Sequence, residues 1–283
     1  GKAQYAVAMM SQRPDRAAAL APEAWRGGAM SEAAYASIVS IYGTTFTFED
    51  NDARMDALLW QRDRAAAERH LPYVSPAKAG VFAARLAILQ GGDGATSDPS
   101  ASTDPGYLYN RSRELRLEGR PTQAVALLSA RLPLASRPFD QEAWVEEQLN
   151  VARIADARSA VAIAAKIDEA FTPGEDVSKL AYGLRDDYTS LMWLGGTRAL
   201  WELGDAASAA PLFYRYGAAA RTPQTRSKGF FWAGHAAAQA RDTANAQRYY
   251  EMAAQYADRF YGLMALERLG RLMPTFAAAP AGQ

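Results

Sequence analysis

A short turn recurs along this chain, and it constrains the fold more than any other feature. Leu203-Gly204-Asp205-Ala206-Ala207-Ser208-Ala209 is echoed at Ala240-Arg241-Asp242-Thr243-Ala244-Asn245-Ala246. A third version is Glu118-Gly119-Arg120-Pro121-Thr122-Gln123-Ala124, and a fainter fourth is Gln61-Arg62-Asp63-Arg64-Ala65-Ala66-Ala67. Each copy reads as the end of one helix, a glycine or polar residue, and the start of the next helix. Glycine there tolerates the left-handed backbone that closes a helix C-terminus. Aspartate caps the first free amides of the helix that follows. Alanine at 67, 124, 209 and 246 falls where the two helices of a hairpin touch, and close packing needs a small side chain there.

One hairpin cannot bury its own apolar face, so hairpins of this kind must stack. The last two turns lie roughly 37 residues apart, near the spacing of tetratricopeptide-like hairpins. Leu191, Leu194 and Trp201 read as interface residues of one hairpin. In the next, Phe230, Phe231 and Trp232 point about 100° apart, so that helix is expected to have neighbours on most sides. Apolar residues make up 49% of the chain, alanine dominates them, and no stretch alternates as a half-buried strand does. The expected fold is all-α: a right-handed superhelical stack of antiparallel helical hairpins, an α-solenoid of the tetratricopeptide-like kind, ring or horseshoe shaped. Its expected parts are an N-terminal helical block over 1–90, an exposed loop over 91–106, a helical-repeat block over 107–273 and a frayed tail over 274–283. The loop is marked by glycine, serine, proline and aspartate, and the tail by alanine and proline.

Charge and motif content narrow the function by exclusion. Lysine plus arginine equals aspartate plus glutamate, 31 against 31, so no global field attracts nucleic acid. The absence of cysteine removes disulfides, thiolate metal sites and cysteine nucleophiles. No run approaches the roughly 20 apolar residues of a membrane span. Gly1-Lys2-Ala3-Gln4 lacks the apolar core of a signal peptide, and a chain that begins with glycine reads as processed. The two histidines, His70 and His235, have no partner motif, and no zinc motif, phosphate loop or nucleophile elbow occurs. Asp186-Asp187 and Glu146-Glu147 are adjacent pairs, which diverge on a helix and do not converge on one substrate bond. Hence no catalytic residue, cofactor or metal is assigned. The six tryptophans are either core filler or sugar-stacking platforms, and exposure on a concave face separates the two roles.

Several segments, in order, carry a resemblance to a known family. They begin with residues 46–60, which run from Phe46-Thr47-Phe48-Glu49-Asp50 to Leu58-Leu59-Trp60, and continue through residues 65–72. Next come Asp104-Pro105-Gly106-Tyr107-Leu108-Tyr109-Asn110-Arg111 and residues 188–196, followed by Leu203-Gly204-Asp205. The most specific lie near the end: Phe231-Trp232-Ala233-Gly234-His235-Ala236, then residues 249–256, then Phe260-Tyr261-Gly262-Leu263-Met264-Ala265. Together, over roughly residues 15–272, they resemble soluble lytic murein transglycosylases of the alphaproteobacterial type.

The resemblance implies a periplasmic, cell-wall-associated protein whose complete form cleaves the glycan strand of peptidoglycan to an anhydro product without water. A single glutamate would act there as acid and then base, with no cofactor or metal. One departure limits what carries over. The family's catalytic domain bears a glutamate-serine pair and a glycine-leucine-methionine-glutamine motif. This chain has no glutamate-serine pair, and Gly262-Leu263-Met264-Ala265 lacks the glutamine. The expectation is therefore a non-catalytic superhelical scaffold that positions peptidoglycan glycan strands, with cell-wall proteins as further partners. Trp193, Trp232 and Tyr250 are the candidates for glycan contact. A tetratricopeptide-like protein–protein interaction module stays open as the alternative, although such a module has no reason to carry the Phe260-Tyr261-Gly262 terminus.

Overall fold

The computed structural model describes residues 1–273 and 275, and among them every regular element is helical. The tail expected over 274–283 lies outside the described residues, Thr275 apart. The helices group into two compact units, residues 1–120 with 131–140, and residues 121–130 with the chain from 141 onward. No helix among the described residues is long and apolar enough to cross a membrane.

The first unit holds α1 (Lys2–Met10), α2 (Pro14–Arg26), α3 (Glu32–Tyr42), α4 (Phe48–Trp60), α5 (Arg64–His70), α6 (Pro76–Leu89) and α7 (Pro105–Leu117). Local signals set where they start. Thr47 and Asp50 form a reciprocal cap on α4, with Asp50 N donating to Thr47 Oγ1 at 3.2 Å and Thr47 N donating to Asp50 Oδ2 at 2.9 Å. Proline occupies the first position of α2, α6 and α7, where its missing N–H has no helical acceptor to lose. Met55, Leu58 and Leu59 of α4 meet Val81 and Phe82 of α6 in one core. Trp25 of α2 and Ile38 of α3 anchor a second core with Tyr5 of α1.

The segment over 91–106 is for the most part exposed or half-buried, as expected of a loop, but it does not lie between two blocks. It folds inside the first unit, and α7 packs on α6. The cause is Arg85 of α6, which is fully buried and needs acceptors. Its Nη1 donates to Asp56 Oδ1 at 2.5 Å and its Nε to Asn110 Oδ1 of α7 at 2.9 Å. Gly106 lies flat against this guanidinium, where a Cβ would sit 2.2 Å from Cζ. Tyr107 then donates its hydroxyl to Gly94 O at 3.0 Å, which ties the loop back to α7.

The second unit holds α8 (Pro121–Ser129), α9 (Gln141–Ile154), α10 (Ala157–Ala165), α11 (Tyr182–Thr197), α12 (Ala206–Ala219), α13 (Pro223–Gln239), α14 (Thr243–Ala254) and α15 (Phe260–Arg268). From α8 to α15 each helix packs on the next, and α9 also meets α11 as α13 meets α15. The recurring turn has one conformation. Arg62, Gly204 and Arg241 all take a positive φ, at 59°, 65° and 63°. The aspartate that follows each accepts from the amide three residues on, at 3.1 Å for Asp63, 3.0 Å for Asp205 and 3.1 Å for Asp242. The alanines at 67, 124, 209 and 246 are all buried. Between α12 and α13 the backbones nearly touch, since a Cβ on Gly229 would lie 2.5 Å from Gly217 Cα.

Candidate functional site

Aromatic rings form a continuous chain of contacts over the second unit. Tyr216 of α12 lies 5.0 Å from Trp193 of α11, centroid to centroid, and Trp193 lies 6.4 Å from Trp201. Trp201 meets Trp232 of α13 at 5.2 Å, and Trp232 meets His235 at 5.3 Å. Through Phe231 the series reaches Tyr261 of α15 at 5.5 Å and ends on Phe260, a further 5.1 Å on. Phe213 fills the space beneath, fully buried and in contact with Trp193, Trp201 and Trp232.

Exposure separates platform from filler along this chain. Trp201 is 56% exposed, although the sequence had it as an interface residue. Its place explains the difference: after Thr197 the helix widens into a π-helical turn over Arg198–Glu202, which carries the indole out of the α-helical register. Trp193 and Trp232 are half-buried and pack against the core beneath them. Tyr250 is only 7% exposed, because its ring packs against Gly234, where a Cβ would lie 2.8 Å from Cδ1. It therefore supports the layer from below and does not line its surface. Phe230 and Phe231 are buried and Trp232 beside them is half-buried, and α13 packs on α12, α14 and α15, in line with the neighbours on most sides expected of it. Trp25, Trp60 and Trp144 are core residues.

At the Tyr216 end the aromatic chain opens into a cavity of about 370 Å³. Its walls include Tyr182, Trp193 and Tyr216, with Arg185, Asp186 and Arg221 around them and Thr189, Ser190, Thr222 and Thr225 supplying hydroxyls. Lys228 of α13 covers the Trp193 ring, its Nζ 3.6 Å from the centroid, and desolvation holds its pKa below the usual lysine value. The neighbouring acid Asp187 is pushed up, first by burial and then by Glu146 and Asp186, but it does not line this cavity.

Other enclosed spaces have different chemistry. One of about 240 Å³ holds Asp168, which already accepts from the Tyr188 hydroxyl at 2.7 Å and pairs with Arg215 Nε at 3.0 Å. In the first unit an aromatic pocket of about 200 Å³ is walled by Trp25, Tyr35, Phe46, His70 and Tyr73. Burial, only partly offset by a contact with Asn51 O, brings the pKa of His70 down to about 4, so its imidazole is neutral at pH 7. His235 is also held down, by burial and then by Arg268.

What this surface offers chemically is stacking area, hydroxyl partners and uncompensated positive charge. Among the described residues no group of histidines and carboxylates is placed to hold a metal ion. Compared with family models, curated proteins and solved structures, the chain matches none.

Proposed function

We propose that this chain is a glycan-binding helical scaffold, the non-catalytic superhelical part of a soluble lytic transglycosylase. In this reading the hairpins of the second unit continue as a right-handed, tetratricopeptide-like stack. Their aromatic chain receives a peptidoglycan strand and presents it to a catalytic domain that carries the glutamate-serine pair this sequence lacks. The protein then works in the periplasm, against the cell wall.

The observation that carries the reading is the exposed indole of Trp201 set edge-on to Trp232. Exposing a tryptophan forgoes much of the gain of burying it, and here the exposed indole adjoins two half-buried ones, a contiguous aromatic surface that a ligand can cover. A pyranose ring presents an apolar C–H face to an aromatic ring while its hydroxyls stay wet. A row of indoles that ends on a cavity lined by threonine and serine hydroxyls suits such a ligand better than a flat apolar partner surface.

The test is retention on insoluble peptidoglycan at low salt, with the wild-type chain beside Trp201→Ala. Retention of the wild type and its weakening in the variant are expected, with no release of anhydro-muropeptides by either. Equal retention of both, or none, would remove the glycan reading and leave the protein-interaction module. Release of anhydro-muropeptides would overturn the non-catalytic assignment.

A further inference from the structure

Resting on that glycan reading, we infer that the cavity between α11, α12 and the start of α13 is a carboxylate-reading subsite, which binds a sugar ring bearing a carboxylate substituent. The surface as a whole is sugar-like in its demands, but this end differs from the rest of the aromatic chain in charge.

Two guanidinium groups, Arg185 and Arg221, line the cavity against a single carboxylate, Asp186. Neither arginine has a carboxylate within ion-pair distance among the described residues. Some arginines elsewhere in the fold pair with carboxylates, as Arg215 does with Asp168 at 3.0 Å and Arg26 with Asp50 at 2.7 Å, whereas Arg226 is held, like the two cavity arginines, by backbone oxygens, but its Nε is also taken up by Tyr256 Oη. Backbone oxygens hold the two in place without neutralising them. Arg221 Nε donates to Ser178 O at 2.7 Å, which leaves both terminal nitrogens for another acceptor. Arg185 Nη1 donates to Leu180 O at 3.2 Å, and its guanidinium lies 5.5 Å above the Tyr182 ring. A planar guanidinium already oriented by a backbone bond matches the fork of a carboxylate, an acceptor that a neutral sugar does not have.

Lys228 adds a third positive charge at the rim. Its ammonium sits over Trp193 and 5.7 Å from the Tyr216 ring, with no carboxylate partner among the described residues. The aromatic walls argue for a ring beside the anion. Tyr182 is 72% exposed, Tyr216 and Trp193 are half-buried, and a cavity of about 370 Å³ falls in the range of small-ligand sites, about 300–1,000 Å³. Asp186 and the hydroxyls of Thr189 and Ser190 are placed to receive sugar hydroxyls. A free anion would use the arginines and leave the aromatic walls idle. A neutral oligosaccharide would do the reverse.

The experiment titrates the full chain by calorimetry with three probes. They are chitotetraose, a peptide-free tetrasaccharide of alternating N-acetylglucosamine and N-acetylmuramic acid, and an acetylated dipeptide with free carboxylates and no sugar. Variants are Arg221→Gln, Arg185→Gln, the charge-keeping Arg221→Lys, and Trp201→Ala outside the cavity. The carboxylated tetrasaccharide is expected to bind about ten-fold or more tightly than chitotetraose, the scale of one or two charge-assisted hydrogen bonds. Each glutamine variant should erase most of that difference while leaving chitotetraose binding unchanged, and Arg221→Lys should restore part of it. Raising salt should weaken the carboxylated probe alone. Trp201→Ala should weaken both glycans together. Equal affinity for the two glycans, or glutamine variants that weaken both alike, overturns the subsite and leaves the scaffold reading standing. Arginine-dependent binding of the dipeptide without the carboxylated glycan overturns the assignment to a sugar-borne carboxylate. Failure of both glycans to bind overturns the scaffold reading as well.

Discussion

Trp201 meets Trp232 edge to face, with ring centroids 5.2 Å apart and planes at 83°. The contact joins a π-helical turn to the middle of α13 and holds an indole at the surface that α-helical continuation would have turned elsewhere. It sets the geometry of the proposed glycan surface, and it separates binding from stability.

That separation is the first prediction. Trp201→Ala removes a side chain more than half exposed, so its cost to folding should be small, about 1 kcal/mol. Its cost to glycan affinity should be about three- to ten-fold, the worth of one stacked aromatic contact. Trp144→Ala, at a fully buried position, should show the opposite pattern, with a stability loss of about 3–5 kcal/mol. Chemical denaturation and glycan titration on the two variants measure both quantities.

Gly229 governs how closely α12 and α13 approach. In Gly229→Ala the new methyl would press on the backbone of Gly217, which cannot rotate aside as a side chain can. A loss of about 1–3 kcal/mol is expected, the usual cost of overpacking. Urea unfolding should show a lower midpoint with an unchanged slope.

The recurring turn makes a reciprocal prediction. Arg241 holds a left-handed backbone at φ 63°, where Gly204 stands in the equivalent turn at φ 65°. Arg241→Gly relieves strain of about 1–2 kcal/mol, partly offset by the greater freedom of glycine in the unfolded chain. A net gain of about 0.5–1 kcal/mol should appear as a higher unfolding midpoint. Gly204→Arg should move the midpoint the other way.

His70 makes the first unit sensitive to acid. Its folded pKa of about 4 lies below the ordinary 6.5, chiefly because burial penalises the charged imidazole. Above pH 6.5 neither folded nor unfolded chain protonates it, and the contribution to stability is complete. As pH falls from 6.5 toward 4 the unfolded chain takes up the proton first, so stability is lost over that window, by about 3 kcal/mol at most. Because the chain has only two histidines, NMR can follow this imidazole directly, with an expected midpoint near 4. Hydrogen exchange in α4 and α5 should speed up over the same window beyond its intrinsic pH dependence. His70→Phe should flatten the effect.

The helical class, the hairpin turns and the small residues at their crossings were legible in the sequence because each depends on a few adjacent residues. Asp205 caps α12 through an amide three positions away, and Ala209 is buried one turn later. Such short-range chemistry needs no knowledge of distant partners. The surface was less legible. Trp193 and Trp232 were candidates from sequence, and both reach the aromatic chain. Tyr250 was a candidate too, yet its exposure depends on Gly234 in another helix, which lets the ring sink into the core. Trp201 looked like a packed residue until a π-helical turn, with no local sequence mark, turned it outward. The loop over 91–106 read as a solvated connector, because nothing near it in sequence says that Arg85 needs Asn110.

By itself, then, the sequence established an all-helical chain, its recurring hairpin turns, and which alanines lie at their crossings, since caps and periodicity act within a turn or two. The division into 1–120 with 131–140 and the remainder, the outward indole of Trp201 and the unpaired arginines of the cavity came from packing between helices far apart in sequence. Burial and charge compensation are properties of neighbours in space, and those neighbours exist only once the chain has folded.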